Sequence, residues 1–146
     1  MRESVSALAL IRRDGPAGIE WLVQWNETWA AFNLVGGHRE NGETFRECLV
    51  RELAEELGVS PGEYRVADAS AAHLEYEAWS WSRRETTKYT MELFDVELLG
   101  DVAVRVLRDE SNRWVTTAEI LARCCQDGKR VSETVETVLG KAGLLS

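Results

Sequence analysis

Three glutamates in one short stretch of the chain have the residue type and spacing of a cation site. Glu52, Glu55 and Glu56 lie within five residues. If this stretch is helical, a rotation of about 100° per residue places all three side chains on an arc about 100° wide. Like charges at such spacings cost a few tenths of a kcal/mol each on an open surface. Clustered carboxylate oxygens suit Mg²⁺ or Mn²⁺, so the pattern indicates a divalent-cation site.

The residues around the glutamates favour this interpretation over a solvated helix face. An isolated pattern of this kind is more often a solvated face, because glutamate is a good helix former. Immediately before the predicted helix, Gly36 and Gly37 form a loop whose backbone N–H groups can approach a phosphate. Apolar side chains fill the arc beside the carboxylates and predict that the helix packs on a core; they are Leu49, Val50, Leu53, Ala54 and Leu57.

The segment from Gly37 to Val59 resembles the Nudix box, and every fixed position of the box is filled over its 23 residues. The matching positions are Gly37, Glu43, Arg51-Glu52-Leu53, Glu55-Glu56 and Gly58-Val59. The resemblance implies an α/β (α+β) fold, a Nudix-type α/β/α sandwich with a mixed β-sheet. It also implies an enzyme that performs Mg²⁺-dependent hydrolysis of a pyrophosphate bond. The expected substrate is a nucleoside diphosphate linked to another group: a nucleoside triphosphate, a dinucleoside polyphosphate or a nucleotide sugar.

The resemblance also assigns roles within the box. Glu52, Glu55 and Glu56 are expected to bind Mg²⁺ or Mn²⁺, and one of them to orient or deprotonate the attacking water. In the family, the glutamate and arginine that correspond to Glu43 and Arg51 usually pair and support the geometry of loop and helix. For Arg51 the alternative is an ordinary surface ion pair with Glu47 or Glu55, which contributes little.

Two features outside the helix complete the expected site. Gly36 and Gly37 allow a tight turn and let a carbonyl oxygen reach the metal. A proline usually precedes the two glycines in this family, whereas this chain has Val35, so the stiffness of the loop is left open. Glu110 precedes the last predicted strand and is the expected further base or ligand. The alternatives are a solvated loop acid in that position, or one of Glu85, Glu92 and Asp109.

Two other functions, a nucleotide sensor and an isomerase, occur on the same fold. A Nudix-fold domain can sense a nucleotide without cleaving it, but such domains typically lack glutamates of the box, and all are present here. An isomerase on this fold needs extra catalytic residues and usually a longer chain. Tyr76 lies where diadenosine polyphosphate hydrolases often carry a tyrosine, although its alternation with Leu74 and Ala78 favours a core position. The sequence therefore leaves the group attached to the diphosphate open.

Composition restricts the class of protein. A chain of 146 residues predicts one domain, residues 1–146. The net charge of −8 argues against general nucleic-acid binding and requires bound cations for a phosphate substrate. The three cysteines do not suggest a disulfide framework, and no segment reads as an export signal or a membrane span, so a cytoplasmic location is expected. A homodimer is common in the family and compatible with the six tryptophans.

Hydrophobic periodicity predicts a mixed sheet that is covered on both sides. A helix is expected over residues 44–57, with Thr44 and Glu47 as a capping box and Gly58 as its end. A second helix is expected from Thr116 to about residue 126, and a final one after Ser132. The predicted strands are 4–12, 19–25, 29–35, 64–69, 72–82, 86–99, 102–107 and 113–115.

Several aromatic and histidine side chains have more than one interpretation. Trp79 and Trp81 are two residues apart, which predicts one face of a strand, where they could stack a nucleobase or cover the sheet against a partner. Trp29 is expected in the core, together with Trp21, Trp25 and Trp114. His38 follows the two glycines and is expected to face solvent, with contact to a phosphate as the alternative.

Overall fold

The computed structural model describes residues 1–145. The strands are β1 (Arg2–Leu10), β2 (Arg12–Gly15), β3 (Gly18–Asn26), β4 (Ala31–Leu34), β5 (Gly36–His38), β6 (Tyr64–Val66), β7 (Ala72–Ser80), β8 (Glu85–Leu98) and β9 (Asn112–Thr116). The helices are α1 (Phe45–Leu57), α2 (Val102–Val106), α3 (Thr117–Ala122) and α4 (Glu133–Lys141).

A mixed five-stranded sheet contains the central strands of the fold. Its strands lie in the order β5-β1-β8-β6, and β7 also pairs with β8. The β1–β8 pair is parallel, whereas the other pairs in this sheet are antiparallel. A second sheet is antiparallel, with the order β2-β3-β4 and with β9 also paired to β3. The predicted mixed sheet is therefore confirmed.

Two apolar layers cover opposite faces of the strands. Along β1, Ala7 and Ala9 belong to one layer and Leu10 to the other, as the alternation of side chains along a strand requires. The first layer receives the buried side chains of α1, which are Cys48, Leu49, Leu53 and Leu57. The second receives Ile120, Val135, Val138 and Leu139 from α3 and α4. Helices thus lie on both sides, which confirms the α/β/α sandwich.

Local sequence fixes both ends of α1. The hydroxyl of Thr44 accepts a hydrogen bond from the N–H of Glu47, and the carboxylate of Glu47 accepts one from the N–H of Thr44. At the other end, Gly58 has a φ of 66°, a left-handed conformation that suits glycine and stops the helix. Since these caps agree with the predicted ones, the rotation of the three glutamates about the helix axis was correctly predicted.

Val102–Val106 form a helix that ends at Leu107, so the strand predicted over 102–107 is wrong. In α2, Val102 and Val106 lie one turn apart, and both are buried in the layer that contains α1. The N–H groups of Val104 and Arg105 donate to the carbonyl oxygen of Asp101, which starts the turn. The β-branched residues of this segment favour a strand by propensity, but packing against the core overrides that preference.

Other boundaries differ from the predictions, and three of them bear on the architecture. The segment 4–12 divides into β1 and β2 at Ile11 rather than forming one strand. The glycine pair was expected in a loop, but residues Gly36–His38 form β5 against β1. The helix expected to reach about residue 126 ends at Ala122, because Arg123 has a φ of 57°. Each difference arises from contacts or turn conformations that cannot be predicted from the neighbouring residues in the sequence.

Candidate active site

Strand pairing holds the glycine pair against the first strand. Gly36 lies opposite Leu8 and Gly37 opposite Ala7 in the β1–β5 pair. Gly36 has a φ of 143°, and a β-carbon there would collide with the carbonyl oxygen of Ala7. A β-carbon on Gly37 would lie 2.5 Å from Oε1 of Glu52. Glycine at both positions therefore lets the backbone pass between β1 and the carboxylates of α1.

Glu56 reaches from α1 to this backbone. Its Oε1 accepts a hydrogen bond from the N–H of Gly36 at 2.9 Å. Burial, together with the charges of Glu52 and Glu55, raises the pKa of Glu56 to about 7, although the N–H of Gly36 favours the charged form. The carboxyl group of Glu52 therefore lies close enough to that of Glu56 to raise its pKa. Two acidic groups therefore crowd together beside the glycine backbone.

Arg51 connects the loop to the helix. Its Nε and Nη2 donate to the two carboxylate oxygens of Glu43 at 2.7 and 3.0 Å. Its Nη2 also donates to the carbonyl oxygen of His38 at 3.0 Å. Its Nη1 donates to Glu52 at 3.0 Å and to Glu55 at 3.3 Å. The bidentate bond from Arg51 lowers the pKa of Glu43 to about 2. Arg51 is thus part of a network and not an isolated surface pair.

The carboxylates supply oxygen donors but do not form a closed set of ligands. Glu52 and Glu56 lie beside the glycines, whereas the side chain of Glu55 is 59% exposed and bonded to Arg51. Within residues 1–145, no group of three His, Cys, Asp or Glu side chains is close enough to hold a metal ion as it stands. Two crowded carboxyl groups with a raised pKa on Glu56 nevertheless fit a cation, which would stabilise their charged forms.

The turn that carries Glu110 lies beside the C-terminal end of α1. The side-chain amide of Gln24 donates to the carbonyl oxygen of Glu56 at 2.8 Å and to Oδ1 of Asn112 at 2.9 Å, which joins the two segments. Asp109 builds the turn, because its Oδ1 accepts two hydrogen bonds from within it. Glu110 itself is exposed. Its role as a base or ligand stays a prediction.

The two other acids considered for that role lie on β8. Glu92 lies 2.8 Å from Nδ1 of His73, a residue of the neighbouring strand β7. Glu85 begins β8 at the exposed end of the β7–β8 hairpin. The contact of Glu92 with His73 gives that carboxylate a local partner, whereas Glu110 lies on the turn that is tied to α1.

Sequence spacing gave no signal for two contacts beside the glycines. The buried thiol of Cys48 donates to the carbonyl oxygen of Gly37 at 3.4 Å. His38 is exposed, as expected, but its Nε2 lies 3.1 Å from the hydroxyl of the buried Ser4. Both contacts depend on the pairing of β5 with β1. A correct prediction of that strand pair would have been needed to find them.

The aromatic predictions hold only in part. Trp21 is buried, but Trp29 is 39% exposed, so its predicted core position is wrong. Trp79 lies on β7 whereas Trp81 lies in the turn that follows, so the two do not share a strand face. Their rings still meet edge to face with centroids 6.1 Å apart. Tyr76 packs against the second apolar layer, as expected for a core position.

The fold is an α/β/α sandwich in which an acidic helix packs against a glycine backbone. Carboxylates that suit cations, beside backbone groups that suit phosphates, are typical of domains that bind phosphates. The chain belongs to the Nudix family, since residues 1–134 match the NUDIX domain. This match includes the glycine loop, α1 and the turn with Glu110. The chain is accordingly a hydrolase of the pyrophosphohydrolase type. A comparison with curated protein sequences gave no match.

Solved structures with the same fold have low sequence identity to this chain. An Ap4A hydrolase from C. elegans is 15% identical with a TM-score of 0.54, over 99% of this chain and 94% of that chain. The dihydroneopterin triphosphate pyrophosphohydrolase of E. coli is 17% identical with a TM-score of 0.63, over 97% of both chains. Shewanella oneidensis NrtR in complex with a 27mer DNA is 14% identical with a TM-score of 0.59. That match covers 94% of this chain but 59% of NrtR. At such identities the similarity shows the fold alone.

Family membership supports only coarse statements about cofactor and location. Nudix enzymes generally use a divalent metal. The structural neighbours named above are a hydrolase of Ap4A, a pyrophosphohydrolase of dihydroneopterin triphosphate and one protein in complex with DNA. None of the helices within residues 1–145 is long and apolar enough to cross a membrane.

Proposed function

We propose that the protein hydrolyses a pyrophosphate bond in a nucleoside diphosphate linked to another group. The observation that carries the proposal is the placement of two helix carboxylates against a glycine backbone. Glu56 accepts the N–H of Gly36 at 2.9 Å, and Glu52 lies so close to Gly37 that a β-carbon would be 2.5 Å from its Oε1. Carboxylates and backbone groups that converge in this way suit a cation and the phosphates that it binds.

Three glutamates and the loop backbone would hold the cation. Glu52, Glu55 and Glu56 would supply carboxylate oxygens to Mg²⁺ or Mn²⁺, and Gly36 or Gly37 a carbonyl oxygen. Glu55 would have to leave Arg51, and its exposure gives it room to do so. A bound cation would neutralise phosphate charge and lower the pKa of water at the site. A cation is required to neutralise the phosphates because the chain itself has a net charge of −8 and would repel them.

The remaining residues of the site would position these groups. Arg51 bonds to Glu43 and to the carbonyl oxygen of His38, so it would fix the loop relative to α1. Glu110 would serve as a further base or ligand, because Gln24 ties its turn to the end of α1. Hydrogen bonds from the loop backbone and this network would hold the helix carboxylates in place while substrate binds.

A phosphate-release panel with Mg²⁺ tests the proposal. The panel contains nucleoside triphosphates, ADP-ribose, nucleotide sugars and dinucleoside polyphosphates. Glu56→Gln and Glu55→Gln remove a carboxylate while keeping the side-chain length, and glutamine can still accept the hydrogen bond of Gly36. We expect wild type to cleave at least one class, and Glu56→Gln to lose about a hundredfold or more in kcat/KM. Glu97→Gln, on the exposed face of β8, is the matched control and should leave activity unchanged.

The same panel separates the hydrolase from a sensor. If the wild type and the glutamine variants behave alike on every substrate, the proposed hydrolysis is wrong. Tight nucleotide binding without turnover would favour a Nudix-fold sensor. The NrtR neighbour is a DNA complex, but the net charge of −8 does not favour DNA as a ligand of this chain.

Location and assembly are secondary parts of the proposal. We place the protein in the cytoplasm, where Cys48, Cys124 and Cys125 would stay reduced, as they are in the structure. A homodimer is compatible with the exposed Trp79 and Trp81. Light scattering during size-exclusion chromatography would distinguish a monomer from a dimer.

A further inference from the structure

The side chain of Gln24 joins two segments of the site that are far apart in sequence. Its Nε2 donates to the carbonyl oxygen of Glu56 at 2.8 Å and to Oδ1 of Asn112 at 2.9 Å. Glu56 lies in the last turn of α1, and Asn112 begins β9 directly after the turn that carries Glu110. One amide group on β3 therefore bonds to both of the segments that carry the proposed site acids.

The register of the second sheet places Gln24 between these two segments. Gln24 pairs with Asn112 across β3 and β9, and directly paired residues point their side chains to the same face of a sheet. Leu22, two residues earlier on β3, is buried in the apolar layer that contains α1. The alternation along the strand therefore directs Gln24 toward α1 as well. A partly buried amide in such a position is costly unless its polar groups are bonded.

Donors and acceptors fix the orientation of both amides in this network. The two partners of Gln24 are oxygen atoms that only accept, so its NH₂ group and not its oxygen must face them. The carbonyl oxygen of Glu56 lies in the last turn of α1, where the helix itself provides no N–H for it. The Nδ2 of Asn112 donates in turn to the carbonyl oxygen of Val106 at 2.9 Å. The chain of hydrogen bonds thus runs from the end of α1 to the end of α2.

The turn with Glu110 is held at both of its ends. Val106 precedes the turn and Asn112 follows it, so the bond between them closes the turn. Trp25, the next residue of β3, donates its N–H to the carbonyl oxygen of Ser111 at 2.7 Å. The strand β3 therefore fixes the backbone of the turn relative to α1, while the side chain of Glu110 stays exposed.

We propose that Gln24 is a positioning residue, which sets the distance between Glu56 and the turn that carries Glu110. This inference rests on the proposed hydrolysis and on the roles proposed for these two acids. Gln24 acts through the backbone segments that it holds and not by contact with the substrate. Displacement of a catalytic group by about 1 Å can cost on the order of a hundredfold in rate, so the loss of one amide can change activity.

Kinetic assays of Gln24→Met test this role. Methionine has nearly the same length but no N–H donor, so the oxygens of Glu56 and Asn112 lose their partner. We expect kcat to fall about tenfold and KM to change less than about twofold. Thr116→Ala is the control for a loss of stability, because Thr116 caps α3, which packs in the opposite apolar layer. Both variants should unfold at a lower urea concentration. An equal change of kcat in the two would show that Gln24 only stabilises the fold, and would overturn the proposal.

A double-mutant cycle with Glu110→Gln tests whether Gln24 acts through the turn. Glu110→Gln alone should lower kcat about a hundredfold. In that background Gln24→Met should lower kcat by less than about twofold more, because the acid that Gln24 positions is already absent. Full activity of Glu110→Gln, or independent effects of the two changes, would overturn the proposal and leave hydrolysis at the helix glutamates intact. Gln24→Asn, whose amide is one methylene too short to reach both partners, takes the place of Gln24→Met if that variant does not fold.

Binding of Mn²⁺ tests the same positioning without turnover. Calorimetric titrations would compare wild type, Gln24→Met and Thr116→Ala. Loss of the bond to the carbonyl oxygen of Glu56 should lower the affinity for Mn²⁺ about tenfold, whereas Thr116→Ala should leave it unchanged. If the wild type hydrolyses no substrate, the proposed hydrolysis fails, and this titration alone decides whether Gln24 positions Glu56. Equal affinities of the three proteins would overturn the proposal in either case.

Discussion

The acidic helix α1 and the glycine strand β5 meet in the site and are fixed in place in opposite ways. The helix and its glutamates come from one continuous segment, and Glu52 and Glu56 face Gly36 and Gly37. The strand β5 is fixed by its pairing with β1, which lies far from it in sequence. The first depends on helix geometry, whereas the second depends on which strands pair.

The two elements also differ in charge. On α1, Arg51 offsets part of the negative charge through bonds to Glu43, Glu52 and Glu55. On β5, neutral backbone groups face the carboxylates, and the N–H of Gly36 donates to Glu56 at 2.9 Å. A bound cation would complement the negative charge that remains on α1.

The largest expected difference comes from alanine at the two glycines. Gly36→Ala would put a β-carbon into the carbonyl of Ala7 at a φ of 143°, and should destabilise the fold by roughly 1–3 kcal/mol. Gly37→Ala would meet only the movable end of Glu52, so unfolding in urea should change by less than about 1 kcal/mol. Because it displaces a proposed ligand, Gly37→Ala should still lower kcat/KM roughly 10–100-fold.

Parallel urea titrations and kinetic assays would check this pair of variants. A stability loss in Gly37→Ala as large as that in Gly36→Ala would show that the carboxylate of Glu52 cannot move. Normal activity in Gly37→Ala would argue against Glu52 as a ligand. It would also contradict the distinction between Gly36, which is needed for stability, and Gly37, which is needed for activity.

The second prediction concerns Arg51. Arg51→Lys keeps the positive charge but loses the two parallel bonds to Glu43, so the loop should lose its fixed position relative to α1. We expect the affinity for Mn²⁺, measured by calorimetry, to fall about tenfold. Arg65→Lys is the control, since Arg65 forms an exposed pair with Glu97 at 3.3 Å. If Arg51→Lys and wild type bind Mn²⁺ with equal affinity, Arg51 forms only a surface ion pair and does not position the site.

The acidic site was largely predictable because its determinants are local. The capping residues Thr44 and Glu47 and the helix end at Gly58 fix α1 from neighbouring sequence alone. Once the helix is placed, its period brings the three glutamates to one side. The sequence offered Glu47 or Glu55 as an ion-pair partner of Arg51, and the choice of Glu55 could not be made because rotamers of exposed side chains depend on neighbouring charges.

Two elements could not be predicted because they depend on contacts between distant segments. The strand β5 exists because Gly36 and Gly37 pair with β1, and α2 forms because Val102 and Val106 bury together. Motifs identify features within one segment, whereas the order of the strands must be known to find features built from several segments.

Salt should change the effect of Arg51 only a little. The effect of Arg51→Lys on Mn²⁺ binding should persist from low salt to about 0.5 M salt, because the bidentate bond between Arg51 and the largely shielded Glu43 depends on geometry. Calorimetric titrations at several salt concentrations would test this. Loss of the effect at high salt would contradict a network that is fixed by geometry.

The smallest effect on activity is expected from an ion pair outside the site. Arg105 lies 2.6 Å from Glu63, and this bond lowers the pKa of Glu63 from 4.5 to about 2. Because the folded-state pKa is depressed, the pair stabilises the native state above about pH 4.5, and this contribution is lost as the pH falls toward 2. Stability curves in urea for wild type and Arg105→Gln should therefore differ at neutral pH and converge toward pH 2, with kcat/KM at neutral pH unchanged. Arg51 lowers the pKa of Glu43 in the same way, but that pair lies in the site. A loss of activity in Arg105→Gln would contradict the expectation that only the pair in the site affects catalysis.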